Sequence, residues 1–123
     1  MRESATHQNT IPPLRVVITK EEGVYVARCL EYCIASHGHT IEEAQAAFVD
    51  ALVKFVLVAE HSGENPFASP RPDDTPYHQM WENGRRSGAS PTPMRIPGFK
   101  TCWKDQEERI ESTSVEQLVI CAA

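Results

Sequence analysis

The chain has 123 residues, which suits one domain, and a formal net charge of −5 with an isoelectric point near 5.5. That acidic balance argues against nucleic acid as the main ligand, since phosphate binding needs a clustered basic face, and it fits a basic protein partner better. No stretch approaches the roughly 20 apolar residues that span a bilayer. Residues 1–13 are polar and carry no export signal, so we predict a flexible tail there and a cytoplasmic protein.

The first half of the chain predicts three strands. Residues 14–20 place Leu14, Val16 and Ile18 on one face, because side chains alternate along a strand. A polar turn then ends at Gly23, which tolerates the positive φ of a hairpin. Residues 24–31 resume with β-branched and aromatic side chains, which predicts an antiparallel partner strand. Residues 34–37 form a third, short strand that ends at Gly38.

A long helix should follow, from Ile41 to about Ala59. Thr40 can accept a hydrogen bond from the N–H of Glu43, and the Glu43 carboxylate can reach back to the N–H of Thr40. Ser62 and Gly63 mark the stop. One broad apolar face should pack on the sheet. Its members are Ile41, Ala44, Phe48, Ala51, Leu52, Phe55, Val56 and Ala59.

A second, narrower apolar stripe runs along the same helix. It consists of Ala46, Val53 and Leu57. Single apolar residues on a surface are common, so the stripe can be incidental. It can equally mark contact with a second subunit or with the C-terminal segment.

Residues 61–100 predict a linker, because seven of the nine prolines lie between Pro66 and Pro97. Within it we predict a short helix near residues 76–83, with Thr75 as cap, Pro76 at the first position and Gly84 as stop. Tyr77, Met80 and Trp81 would share its docking face. Residues 87–99 lack periodicity, which predicts a structureless stretch.

The C-terminal segment, residues 101–123, begins charged, with a short helix suggested near residues 105–110. The apolar run 115–121 predicts a fourth strand that completes the sheet at an edge. The fold class is therefore α+β, in the order β-β-β-α-β, with a mainly antiparallel sheet and one long helix on one face.

Four side chains near the third strand are competent zinc ligands. They are Cys29, Cys33, His37 and His39. The cysteine pair lacks the two-residue spacing of a zinc knuckle, and a strand explains the segment better. We therefore predict free thiols, no metal site and no cofactor.

The residue pattern of the first half resembles the HicB family. The matching stretches are YVARCLE at residues 25–31, IASHGHTIEEA at 34–44 and DAL at 50–52, within a region of about 14–60. HicB proteins are antitoxin-type domains with a truncated RNase H-like fold, β-β-β-α-β. The resemblance implies that the chain binds and neutralises a small basic ribonuclease toxin of the HicA type.

Within the matched region, the candidate partner-binding residues are Arg28, Leu30 and Tyr32. Many antitoxins end in a helix-turn-helix or ribbon-helix-helix domain, and residues 62–123 show neither pattern, so direct nucleic-acid binding is not expected. We predict a homodimer or higher homo-oligomer, with Ala46, Val53 and Leu57 as candidate contacts. The part of the chain with clear strand and helix patterns, residues 14–60 and 115–121, is small for a stable core. The far face of the sheet also carries the apolar residues Val17, Val26 and Leu30, which need a cover.

Catalysis is not predicted. An RNase H-type nuclease needs carboxylates clustered at the sheet centre to hold two metal ions, and residues 14–19 contain no Asp or Glu. Fold alone does not imply function. Two alternatives stay open: a stand-alone interaction domain with another partner, and a divergent metal-dependent RNase H-like nuclease.

Overall fold

A computed structural model describes residues 12–72, 75–96, 99–103, 106–110 and 113–120, with side chains described for 12–72, 75–96 and 115–120. Most of the predicted tail, residues 1–11, lies outside the described residues. The described elements are β1 (Arg15–Glu21), β2 (Val24–Cys29), β3 (Ala35–Gly38), α1 (Ile41–His61), α2 (Pro76–Arg86), β4 (Thr92–Ile96), β5 (Phe99–Trp103), β6 (Gln106–Ile110) and β7 (Thr113–Ile120).

Five strands form one mixed sheet in the order β3-β2-β1-β7-β4. The pairings β1–β2, β2–β3 and β4–β7 are antiparallel, whereas β1 and β7 are parallel. Strands β5 and β6 form a separate antiparallel hairpin. The predicted α+β class is confirmed.

The turn between β1 and β2 has the geometry that the sequence predicts. Glu22 and Gly23 both have positive φ, of 53° and 82°, in a two-residue turn that pairs Glu21 with Val24. Positive φ at both positions matches the right-handed twist of the flanking strands. Glycine at the second position therefore fixes the register of the hairpin.

Helix α1 begins at the predicted cap and runs two residues beyond the predicted end. The backbone N–H of Glu43 donates to Thr40 Oγ1 at 3.0 Å. The Glu43 carboxylate accepts from the N–H of His39 at 2.9 Å, one residue before the predicted donor, Thr40. The reciprocal pair of bonds still satisfies two backbone groups at the helix start.

The main core lies between α1 and one face of the sheet. The helix buries Ala44, Phe48, Leu52 and Val56, all from its predicted apolar face. The sheet contributes alternate residues of each strand, as the two-residue repeat requires. The buried cluster comprises Leu14, Val16, Ile18, Ala27, Cys29, Tyr32, Ile34, Ala44, Phe48, Leu52, Met94, Ile96 and Val115.

A second, smaller core lies on the opposite face of the sheet, under α2. It consists of Val17, Leu30, Trp81 and Leu118. Trp81 docks as predicted, but Met80 is 36% exposed, so the predicted shared face is wrong at Met80. The predicted stop is also wrong, because the helix continues past Gly84 to Arg86.

Strand β7 confirms that the C-terminal apolar run joins the sheet. Its position differs from the prediction, because it lies between β1 and β4 and not at an edge. The edge position belongs to β4, in a stretch that we predicted to be structureless. Met94 and Ile96 alternate as buried residues there, but Pro93 hides the pattern, since proline is rare in strands away from edges.

The helix suggested near residues 105–110 is wrong. Residues 106–110 form β6, paired with β5 from Phe99↔Ile110 to Trp103↔Gln106. A short charged segment carries little propensity for either structure, so pairing with a neighbouring strand decides its conformation.

Replacing Phe48 by Ala should lower the free energy of unfolding by about 3–5 kcal/mol, because the ring is fully buried between α1 and the sheet. Phe55→Ala should cost less, since Phe55 is only half-buried, against the rings of Tyr32 and Phe67. Urea unfolding followed by circular dichroism measures both. A loss under about 1 kcal/mol for Phe48→Ala would contradict this packing of α1.

Candidate partner-binding surface

The three candidate partner-binding residues do not share one surface. Arg28 is half-buried on the α2 side of the sheet, and Leu30 is completely buried in the second core. Tyr32 is 7% exposed and belongs to the main core, where its hydroxyl donates to the carbonyl of Phe67 at 2.8 Å. Because β2 ends at Cys29, the alternation that would align these residues stops before Tyr32. Only Arg28 keeps a substantial exposed part.

The Arg28 guanidinium is held by an acidic partner on β1. Its Nη1 and Nη2 donate to the two carboxylate oxygens of Glu21 at 2.6 and 3.3 Å. The hydroxyl of Thr19 also donates to Glu21, at 2.8 Å. Hydrogen bonds from Arg28 and then from Thr19 lower the pKa of Glu21, and the bond to Glu21 raises the pKa of Arg28. The pair is partly exposed, so water screens its contribution to stability.

Arg71 is a key residue that sequence reasoning did not find. Its Nε donates to the carbonyl of Leu30 at 3.2 Å, and its Nη2 donates to the carbonyls of Tyr32, at 2.9 Å, and of Cys29. Its backbone N–H donates to the carbonyl of Glu31 at 2.7 Å. Arg71 therefore stabilises the turn after β2 from a segment that lies 39 to 42 residues further along the chain. A lone arginine between two prolines gives no local signal of this role.

Glu31 fixes the start of β1 to the end of β2. Its carboxylate accepts from the backbone N–H of Arg15 at 2.9 Å and from Arg15 Nε at 2.7 Å. The Cys29 thiol lies 3.8 Å from the same carboxylate. Burial raises the pKa of Cys29 to about 11, although backbone hydrogen bonds from Tyr32 and Glu31 act in the opposite direction. These contacts give Glu31 a structural role.

The aromatic residues of α2 lie beneath arginines from the sheet. The guanidinium carbon of Arg15 is 5.9 Å from the centre of the Trp81 ring, and that of Arg28 is 5.3 Å from the centre of the Tyr77 ring. Arg71 also lies 5.7 Å from the Tyr77 ring. Cation–π attraction of this kind stabilises a pair by roughly 0.5–1 kcal/mol at exposed sites. Each ring therefore has a charged partner as well as an apolar one.

The outer surface of α1 carries exposed apolar side chains. Leu57 is 37% exposed and Val58 is 67% exposed, while Val53 is half-buried and Ala46 is exposed. Beside them lies a shallow groove of about 380 Å³. The groove is lined by Lys54, Phe55, Val58, Ala59, Ser62 and Glu64. The predicted stripe of Ala46, Val53 and Leu57 is thus open to solvent along part of its length.

The four zinc-competent side chains are not assembled into a site. Cys29 is buried in the main core, whereas Cys33, His37 and His39 are exposed. Within the described residues, no three His, Cys, Asp or Glu side chains come close enough to hold a metal ion. The ligand set that the sequence offers is therefore not brought together.

Comparison with protein-family models, with curated proteins and with solved structures finds no match. None of the helices in the described part of the chain combines the length and the apolar character that crossing a membrane requires.

Cys29 and Cys33 should differ sharply in reactivity. Iodoacetamide at pH 8.5 should modify Cys33, which is exposed, and leave Cys29 intact until the protein unfolds, because only the thiolate attacks. Peptide mapping by mass spectrometry with and without urea distinguishes the two sites. Cys33→Ser is the matched control. In the folded variant, the peptide that contains Cys29 and position 33 should remain unmodified.

Cys29 should also make stability fall at alkaline pH. The unfolded thiol loses its proton near pH ~8.5, while the folded thiol keeps it to about 11, so the folded state binds more protons between those values. The free energy of unfolding should therefore decrease as pH rises through this window, and less so in Cys29→Ala. Equal slopes for the two proteins would contradict the buried thiol.

Proposed function

We propose that this chain is a non-catalytic, protein-binding domain of the antitoxin type, which binds and neutralises a small basic ribonuclease of the HicA type. The sequence pattern of residues 25–52 and the net charge of −5 support the proposal. That pattern covers β2, β3 and most of α1, which are consecutive in the chain and packed together. The first four elements, β1, β2, β3 and α1, follow the order that the resemblance implies, and β7 lies beside β1. Helix α2 and strands β4 to β6 stand between α1 and β7, which that order does not include.

The observation that carries the non-catalytic part is the apolar centre of the sheet. On β1, Val16, Val17 and Ile18 are at most 1% exposed, and the neighbouring Ala27 and Leu118 are completely buried. Two-metal hydrolysis needs carboxylates at such a centre. Apolar side chains occupy both faces there, so these positions favour packing over metal chemistry.

Two carboxylates at the ends of β1 and β2 support the same conclusion. Glu21 is bound by Arg28 and Thr19, and Glu31 by Arg15. A carboxylate that holds a guanidinium is poorly placed to bind a divalent cation as well. Both residues therefore join neighbouring strands and turns.

The test is co-expression with a small basic ribonuclease of the HicA type encoded next to this chain. The chain should restore growth and co-purify with the ribonuclease, and capture should weaken as salt increases, because opposite net charges attract. The ribonuclease with its active-site residue replaced serves as the control for toxicity. Failure of both growth rescue and co-purification would contradict the proposal.

A direct assay distinguishes a divergent nuclease from a non-catalytic domain. Incubation of the chain alone with RNA and magnesium or manganese should leave the RNA intact. Cleavage that is lost in Glu31→Gln would instead support a divergent nuclease. Since Glu31 also binds Arg15, circular dichroism must show that the variant is folded.

We also propose that the chain forms a homodimer through α1. Helix α2 covers Val17 and Leu30 within the same chain, so this face of the sheet needs no second copy to bury it. The remaining support is the apolar stripe of α1, in which Leu57 is exposed and Val53 is half-buried. A two-fold contact would bring the same patch of both copies together.

Light scattering at micromolar concentration should give the mass of a dimer, and Val53→Glu should give the mass of a monomer, because it places a charge in the apolar contact. Gln79→Glu, which introduces the same carboxylate at an exposed position of α2, is the matched control and should remain dimeric. A monomeric wild type would contradict the proposal. A Val53→Glu protein that stays dimeric would place the contact at a strand edge instead.

A further inference from the structure

The second core is much smaller than the first. Among the described side chains, the cluster contains Val17, Leu30 and Leu118 from the sheet side and Trp81 from α2. Tyr77, Ala89 and Ile120 pack around them while partly exposed. The sheet face beneath α2 is therefore a small apolar patch, covered mainly by one large aromatic side chain.

Two aromatic side chains of α2 make specific contacts with this face. Tyr77 and Trp81 are four residues apart, so they project from the same side of the helix on successive turns. Arg28 lies over the first ring and Arg15 over the second, at 5.3 and 5.9 Å from the ring centres. Arg71 also lies 5.7 Å from the Tyr77 ring. The face thus presents guanidinium groups at both ring positions, spaced for aromatic residues one turn apart.

Helix α2 has few interactions of its own that would keep it helical if it left the sheet. It has 11 residues, of which only His78, Trp81 and Gly84 are buried. Isolated helices of this length are marginal in water. Its first turn is capped by Thr75, but its conformation otherwise depends on docking.

Gly84 shows how closely α2 approaches the sheet. A Cβ added to Gly84 would lie 2.8 Å from Leu118 Cδ2 and 3.1 Å from Ile120 Cδ1. Contacts this short require the neighbouring side chains to move, and Leu118 is completely buried. Alanine at position 84 would therefore disfavour docking while it favours the helix itself.

We propose that α2 is a displaceable cover, and that the face beneath it is a docking surface for a partner helix with two aromatic side chains four residues apart. The inference rests on the proposed protein-binding function and names the chemistry of the partner. The face contacts the side chains of Tyr77 and Trp81. These contacts do not require that the helix be part of the same chain, so a helix of another protein can make them. Because α2 belongs to the same chain, its effective concentration at the face is high, and a partner helix must compete with it.

The test uses a fluorescein-labelled peptide of residues 75–88, titrated into the full-length chain and followed by anisotropy. The peptide should bind Trp81→Ala at least tenfold more tightly than it binds the wild type, because the variant's own α2 no longer competes. A peptide with Ala at the positions of Tyr77 and Trp81 should not bind. Met80→Ala, an exposed neighbour on α2, is the matched control and should behave as the wild type.

Two further variants keep the test decisive. Gly84→Ala provides a second way to undock α2 if Trp81→Ala fails to fold. Adding Arg28→Ala to either variant should weaken peptide binding about two- to fivefold if the guanidinium recognises the ring. Peptide that binds neither undocked variant, while circular dichroism shows a folded sheet, overturns the proposal. Equal binding of the alanine peptide overturns the aromatic-pair chemistry.

Hydrogen exchange on the wild type tests displacement directly. Amides of residues 77–86 should exchange at least tenfold faster than those of the middle of α1. The opening that exposes them should depend less on urea concentration than global unfolding does. Exchange of α2 only at the rate of global unfolding would show that the cover does not open.

The outcomes separate this inference from the antitoxin proposal. If no ribonuclease is captured but the peptide binds Trp81→Ala, the docking surface stands and the antitoxin assignment fails. If the ribonuclease is captured and excess peptide does not displace it, the antitoxin assignment stands and this inference fails.

Discussion

Strand β1 is buried on both faces, and the arrangement of the other elements depends on this. Val16 and Ile18 point to α1, while Val17 points to α2, and all three are at most 1% exposed. A strand of this kind needs a neighbour on each side and a layer on each face. Strands β2 and β7 supply the neighbours, and the two helices supply the layers. The long passage from α1 through α2 and β4 to β7 makes this enclosure possible.

Much of the local structure follows from short-range signals in the sequence. The hairpin is set by Gly23, and the start of α1 by Thr40 and Glu43. These features depend on residues within a few positions of one another, so they can be predicted without knowledge of the fold. Strand β4 is different, because its five residues become a strand by pairing with β7. The paired residues are 17 to 25 positions apart in the sequence. The parallel neighbour of β1 likewise could not be chosen from periodicity alone.

The candidate surface was harder to predict than the fold. The region that resembles HicB contains Arg28, Leu30 and Tyr32, which are named together as candidate partner-binding residues from the sequence. The strand stops at Cys29, and Arg71 binds the carbonyls of Leu30 and Tyr32 in the turn that follows. Leu30 and Tyr32 then enter different cores. The bond partner that decides their placement lies in a proline-rich segment, where no local pattern indicates a structural arginine.

The edges of the sheet limit how it can grow. At one end, β3 is only four residues long. At the other end, β4 contains Pro93, which has no N–H to donate to a further strand. Short and proline-containing edges resist open-ended addition of strands, the step that turns a sheet protein into a fibre. The same proline that conceals β4 in the sequence thus protects the folded chain against self-templated aggregation.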